Sequence, residues 1–94
     1  MIEAEISAEV YCNWDLEPPA YRVYIDGDLL TERTYRWVNP DQFICERIIV
    51  NVEPGIHQFR IEAVNPANQD KFSVRNVHVN HQLVPYANNQ LIIQ

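Results

Sequence analysis

Lysine is nearly absent from this sequence: Lys71 stands alone against six arginines. Glycine and cysteine occur only twice each. The basic side chains are outnumbered, 7 Lys and Arg against 13 Asp and Glu, for a net charge of −6. Gripping a nucleic-acid backbone takes clustered Lys and Arg to displace counterions from phosphate, so nucleic acid is not an expected partner. No run approaches the roughly 18 apolar residues of a membrane-spanning helix, and no membrane role is expected. The first ten residues, MIEAEISAEV, are acidic and alternating, without the basic and apolar regions of a secretory signal, so none is expected. No G-x-S-x-G, phosphate loop or dinucleotide-type glycine pattern occurs. Cys12 falls on the apolar side of a strand pattern and Cys45 inside another, poor places for a reactive thiolate. The two could form one disulfide, but the expected state is two buried thiols. No catalytic residue and no cofactor is expected.

What is present is alternation. Ile2, Ala4, Ile6, Ala8, Val10 and Cys12 share one parity; Glu3, Glu5, Ser7, Glu9 and Tyr11 share the other. A period of two marks a half-buried strand. NWDLEPP (13–19) reads as a loop, because Pro18-Pro19 cannot donate to a ladder. Tyr21 to Arg36 is the best-marked hairpin, turning at Asp26-Gly27, a pair suited to the two positive φ angles of a type I′ turn. A two-residue loop sets Ile25 opposite Asp28, Tyr24 opposite Leu29, Val23 opposite Leu30 and Arg22 opposite Thr31. One face then carries Tyr24, Leu29, Tyr35 and Trp37 with Arg22, Thr31 and Arg33. The other carries Tyr21, Val23, Ile25, Leu30 and Val38 with Glu32, Thr34 and Arg36. A bulge between Thr31 and Thr34 would reset the later residues. Without one the hairpin has two apolar faces, of which the core can take one.

Asn39-Pro40-Asp41 and Glu53-Pro54-Gly55 read as turns. Strands are expected over Phe43–Val52 (Ile44, Ile48, Val50 and Val52 on one side beside Glu46), Ile56–Val64 (Phe59, Ile61 and Ala63 inward) and Phe72–Val79, with Asn65–Lys71 as a polar connection. His81–Gln94 ends in Leu91-Ile92-Ile93, either a last strand or a segment that docks on a neighbour. About seven short strands without a convincing helix predict an all-β fold over 1–94, a single antiparallel β-sandwich or jelly roll. With so few glycines, its turns must fall to Asn, Asp and Pro.

Three constellations invite chemistry. Asp26, Asp28, Glu32 and Asp41 are close enough in sequence to suggest calcium, but a turn and ion pairs with Arg33, Arg36 or Arg47 explain them as well. His57, His78 and His81 would make a zinc site only if the fold gathered them, and residues 78 and 81 point to opposite faces of one strand. No metal site is expected. Tyr24, Tyr35 and Trp37, with Trp14, suit a sugar-stacking platform, half of a core, or an interface rich in aromatics and Arg.

The run from Tyr24 to Tyr35, then Trp37, Asn39-Pro40 and Glu46, followed by Val52-Glu53-Pro54-Gly55-x-His57 and Ile61-Glu62, resembles small virion-associated β-sandwich proteins of tailed cyanobacterial phages. The likeness covers about residues 21–62. It implies a capsid decoration (cement) protein, made in the host cytoplasm and carried on the virion surface. The expected function is therefore a non-enzymatic module that binds copies of itself or a capsid scaffold. Its expected contacts are Tyr24, Arg33, Tyr35, Arg36, Trp37, Leu91, Ile92 and Ile93. The alternative is a carbohydrate-binding module using the aromatic face, with or without calcium.

Overall fold

The computed structural model describes residues 1–14, 16–37 and 41–94. The opening alternation forms β1 (Ile2–Cys12), whose Ala4, Ile6, Ala8, Val10 and Cys12 are buried while the intervening residues face outward. It is followed by β2 (Ala20–Ile25), β3 (Asp28–Thr34), β4 (Ile44–Val52), β5 (Gly55–Ala63), β6 (Phe72–Val79), β7 (Gln82–Leu83) and β8 (Gln90–Ile93). All pairings are antiparallel. Two four-stranded sheets result, ordered β4-β1-β6-β7 and β3-β2-β5-β8. Their inner faces share one apolar core, to which β1 gives Ile6 and Val10, β2 Tyr21 and Val23, β5 Phe59 and Ile61, β6 Val77 and Val79, and β8 Leu91 and Ile93. The expected β-sandwich is what forms, with eight strands. The polar connection holds a short 3₁₀ helix, Pro66–Lys71, capped by the Asn65 side chain on the Ala67 N–H.

Asparagine does the work of the missing glycines. Asp26 and Gly27 have φ of 48° and 85°, both positive as a type I′ turn requires. The same geometry recurs at Asn80-His81 (50°, 70°), joining β6 to β7, and at Asn88-Asn89 (55°, 60°), leading into β8. Asn tolerates the left-handed region better than most residues. Asn39 and Pro40, expected in a turn, lie outside the described residues, as does Val38.

The hairpin keeps its expected register only next to the turn. Ile25 pairs with Asp28 and Tyr24 with Leu29, but Val23 pairs with Thr31, leaving Leu30 as an extra residue in β3. This bulge lies just before the Thr31–Thr34 stretch where the sequence admits one, and it inverts the parity of everything after it. Arg33 now pairs with Tyr21 on the core side, and Tyr35, whose N–H donates to the Pro19 carbonyl, turns inward. Tyr35 is 0% exposed and packs edge-on against Phe72. Its expected role in an outward contact is therefore corrected. The same holds for Leu91 and Ile93, which are 1% and 0% exposed. Residues 90–93 are not a free docking tail but the strand that pairs with Gly55–Gln58 of β5. Cys45, expected to be buried, is exposed, and both cysteines are free thiols.

Leu91→Ala should therefore cost about 2–5 kcal/mol of stability, as for a core leucine. Ile92→Ser, one residue on and facing outward, should change stability by less than about 1 kcal/mol. Urea unfolding of the two variants checks the contrast.

Candidate interaction surface

The sheets meet at their β3 and β4 edges through one carboxylate. Glu46, on β4, is fully buried. Its Oε1 accepts from the Tyr21 hydroxyl at 2.5 Å and from Arg33 Nε at 2.5 Å. Oε2 has no hydrogen-bond partner among the described residues. Arg33, one of the expected contact residues, is thus committed to its own chain, with its outer half exposed. Burial, and then the Glu46 hydrogen bond, raise the Tyr21 phenol well above its ordinary range. Both effects favour the neutral hydroxyl that Glu46 needs as a donor.

The outer face of the β3-β2-β5-β8 sheet carries a different set. Tyr24 lies beside Leu29, and the Arg60 guanidinium covers its ring at 4.6 Å from the centroid. Arg60 Nε is 3.0 Å from Glu62 Oε2, and Arg22 Nε donates to Glu32 at 2.7 Å. Farther along β5, Ile56 sits opposite Ile92 of β8, and these are 69% and 57% exposed. Leu83 of β7, in the other sheet, is also largely exposed. Of the expected contact residues, the structure gathers Tyr24 and Ile92 on this face. Arg36 and Trp37 are exposed beyond the end of β3, and the Trp37 carbonyl accepts from Trp14 Nε1 at 2.7 Å. Ile56 and Arg60 were not among the expected contacts. Ile56 shares its parity with the outward Gln58, Arg60 and Glu62, so an apolar residue on a polar side was the available signal.

The aromatic platform does not assemble. Tyr35 is inside, Arg60 occupies one side of the Tyr24 ring, and Trp37 is held at the loop with Trp14. Among the described residues no group of three His, Cys, Asp or Glu is placed to hold a metal ion. The histidines are dispersed: His57 binds Asp26, His78 the Asn76 carbonyl, and His81 Glu5. Burial pushes the Cys12 thiol up to about 11, against nucleophilic use.

The opposite outer face, on β1, is acidic. Glu5 takes Arg47 at 2.7 Å and His81 at 2.9 Å, while Glu9 accepts from Tyr11 and Asn76. The two outer faces differ: acidic residues along β1 on one side, a mixed apolar, aromatic and arginine set on the other.

His57 ties the Asp26-Gly27 turn to the start of β5. Its Nδ1 meets Asp26 Oδ2 at 2.5 Å and its Nε2 the Glu53 carbonyl at 2.6 Å. Both partners are acceptors, so satisfying both requires the doubly protonated ring. The hydrogen bond to Asp26, then that to Glu53, raise the His57 pKa above 6.5, with burial opposing. Burial raises the Asp26 carboxyl, but the His57 and Gln58 hydrogen bonds outweigh it and hold Asp26 below 3.8. The raised histidine stabilises the fold fully below its unfolded pKa and loses that contribution as pH climbs through the folded value. The lowered aspartate contributes above its unfolded pKa and loses it as pH falls through the folded one. The stability advantage of the native protein over His57→Ala should therefore be largest between pH 3.8 and 6.5 and shrink on either side. Thermal melts of both proteins across pH 3 to about 9 test this.

Compared with family models, curated proteins and solved structures, the chain finds no match in any of the three.

Proposed function

We propose that this chain is a non-enzymatic structural module that works by protein–protein contact through the outer face of its β3-β2-β5-β8 sheet, as a capsid decoration protein of a tailed phage. The observation that carries the contact reading is the make-up of that face. Leu29, Ile56 and Ile92 are exposed on it, beside a Tyr24–Arg60 stack whose polar neighbours are already paired within the chain. A surface with apolar area, an aromatic and arginine, and few unpaired charges to desolvate is suited to a protein partner. The phage assignment is supported by the resemblance over residues 21–62.

Immunogold labelling of purified cyanophage virions with antibody to this chain should decorate the heads; unlabelled particles would sink the virion reading. At the level of residues, Tyr24→Ala and Ile92→Asp should each weaken attachment to the head about tenfold or more, the scale of an interface hot spot. Their circular dichroism should stay native. Unchanged attachment by both variants would place the contact elsewhere on the molecule.

A further inference from the structure

A nine-residue edge strand, β4, borders the acidic sheet and pairs with β1 without interruption from Ile2↔Val52 to Val10↔Ile44. The direction of its free hydrogen bonds follows from β1. Glu5 donates its N–H to Asn80 Oδ1 and accepts from the Asn80 N–H, and the Asn13 N–H donates to the Lys71 carbonyl. Odd-numbered residues of β1 thus turn their backbone groups toward β6 and β7, and even-numbered ones toward β4. The partners of the even residues are Val50, Ile48, Glu46 and Ile44. Cys45, Arg47, Ile49 and Asn51 therefore aim their N–H and C=O groups away from the sheet, and no hydrogen bond among the described residues meets those groups.

Other edges are treated differently. β3 is interrupted by the Leu30 bulge, and β7 is two residues long. Beyond the end of β8, the β5 edge is capped: the Phe59 N–H donates to the Asn89 carbonyl, the Phe59 carbonyl accepts from the Tyr86 hydroxyl, and the Gln69 amide bonds both the Ile61 carbonyl and the Ala63 N–H. β4 has no bulge, proline or cap of this kind. An edge of this length and regularity is a template for another strand. A groove of about 500 Å³ lies against it, lined by Ile49, Val50 and Asn51 and by Leu30 of β3.

We infer that β4 pairs with β4 of a second copy, antiparallel about a two-fold axis through Ile49. The side chains favour this occupant. An axis at Arg47 would set two arginines face to face. An axis at Ile49 sets Ile49, 64% exposed, against itself and places Arg47 opposite Asn51 of the other copy, diagonal to its Glu53. Arg47 and Glu53 are each about two-thirds exposed or more; within the chain they bond Glu5 and the N-terminal amine, exposed contacts that they exchange for each other across the axis. Diagonal neighbours in an antiparallel pair are within reach of long side chains. Two Arg47–Glu53 pairs, one on each side of the axis, offset the repulsion between two copies of net charge −6. The backbone bonds form between Ile49 and Ile49 of the two chains and between Arg47 and Asn51 on each side of the axis, and the sheet becomes eight-stranded. The inference does not rest on the virion reading, and either can fail alone.

Light scattering after size-exclusion chromatography, over a concentration series, is the test. The native chain should give twice the 11.1 kDa chain mass at the upper concentrations. Ile49→Lys, which sets two cations on the axis, and Asn51→Pro, which removes a donor that the folded monomer does not use, should each halve that mass. Both should keep the native circular dichroism, since edge strands accept proline where the N–H faces solvent. Arg47→Glu and Glu53→Arg should each be monomeric alone and dimeric when mixed, because mixing restores both ion pairs. A native chain that stays at 11.1 kDa throughout overturns the proposal. So does a dimer that survives Ile49→Lys and Asn51→Pro, or charge-reversed variants that do not recombine.

Discussion

A carboxylate at the seam between two sheets must find in protein the partners that water would otherwise supply. Glu46 finds Tyr21 from β2 and Arg33 from β3, so a single side chain of one sheet is bonded to two strands of the other. Replacing such a buried group by an apolar one is often neutral, but removing one partner leaves a charge stranded. The contact therefore fixes relative position more than it adds net stability. It aligns the β3 and β4 edges, and so decides what the open side of the sandwich looks like. It also depends on Leu30: without the extra residue, Arg33 would point outward and Glu46 would face the hydroxyl alone.

The parity switch at Leu30 marks the boundary of what the sequence discloses. Strands with clean alternation, β1 and β5 above all, could be read residue by residue, because a period of two admits only one burial pattern. The turn at Asp26-Gly27 was equally plain. A bulge leaves no comparable trace in a stretch such as LLTERT, where apolar, β-branched and charged residues are mixed on both parities. The cost fell on the candidate site. Tyr35, Leu91 and Ile93 have the chemistry of interface residues and of core residues alike, and only long-range pairing separates the two. Asn88-Asn89 is legible as a break before the last strand, whereas the Asn80-His81 turn was hidden for a related reason, since Asn and His adopt positive φ far less readily than Gly and do so where the flanking strands demand it. Tyr24 and Ile92 did emerge on one outer face, joined there by Ile56 and Arg60.

The two outer faces divide the molecule electrically. The acidic stripe of β1 is partly neutralised by Arg47 on Glu5. The other face has its ion pairs closed within the chain and its isoleucines bare. A protein with a single lysine cannot rely on that flexible, strongly hydrated cation to keep such surfaces apart.

β8 fills the last open place beside β5, and the core is incomplete without it. Leu91 and Ile93 complete a core whose other walls come from residues up to ninety positions earlier. Until β8 arrives, Gly55–Gln58 of β5 have no neighbour on that side and Phe59 lacks the Asn89 carbonyl. The β5–β8 pairing is non-local, as are those of β1 with β4 and β6, so loop closure must be met before its contacts repay it. A molecule whose β8 has not docked therefore presents β5 as an unmatched edge beside an open core, the state in which small β proteins are most exposed to misassociation.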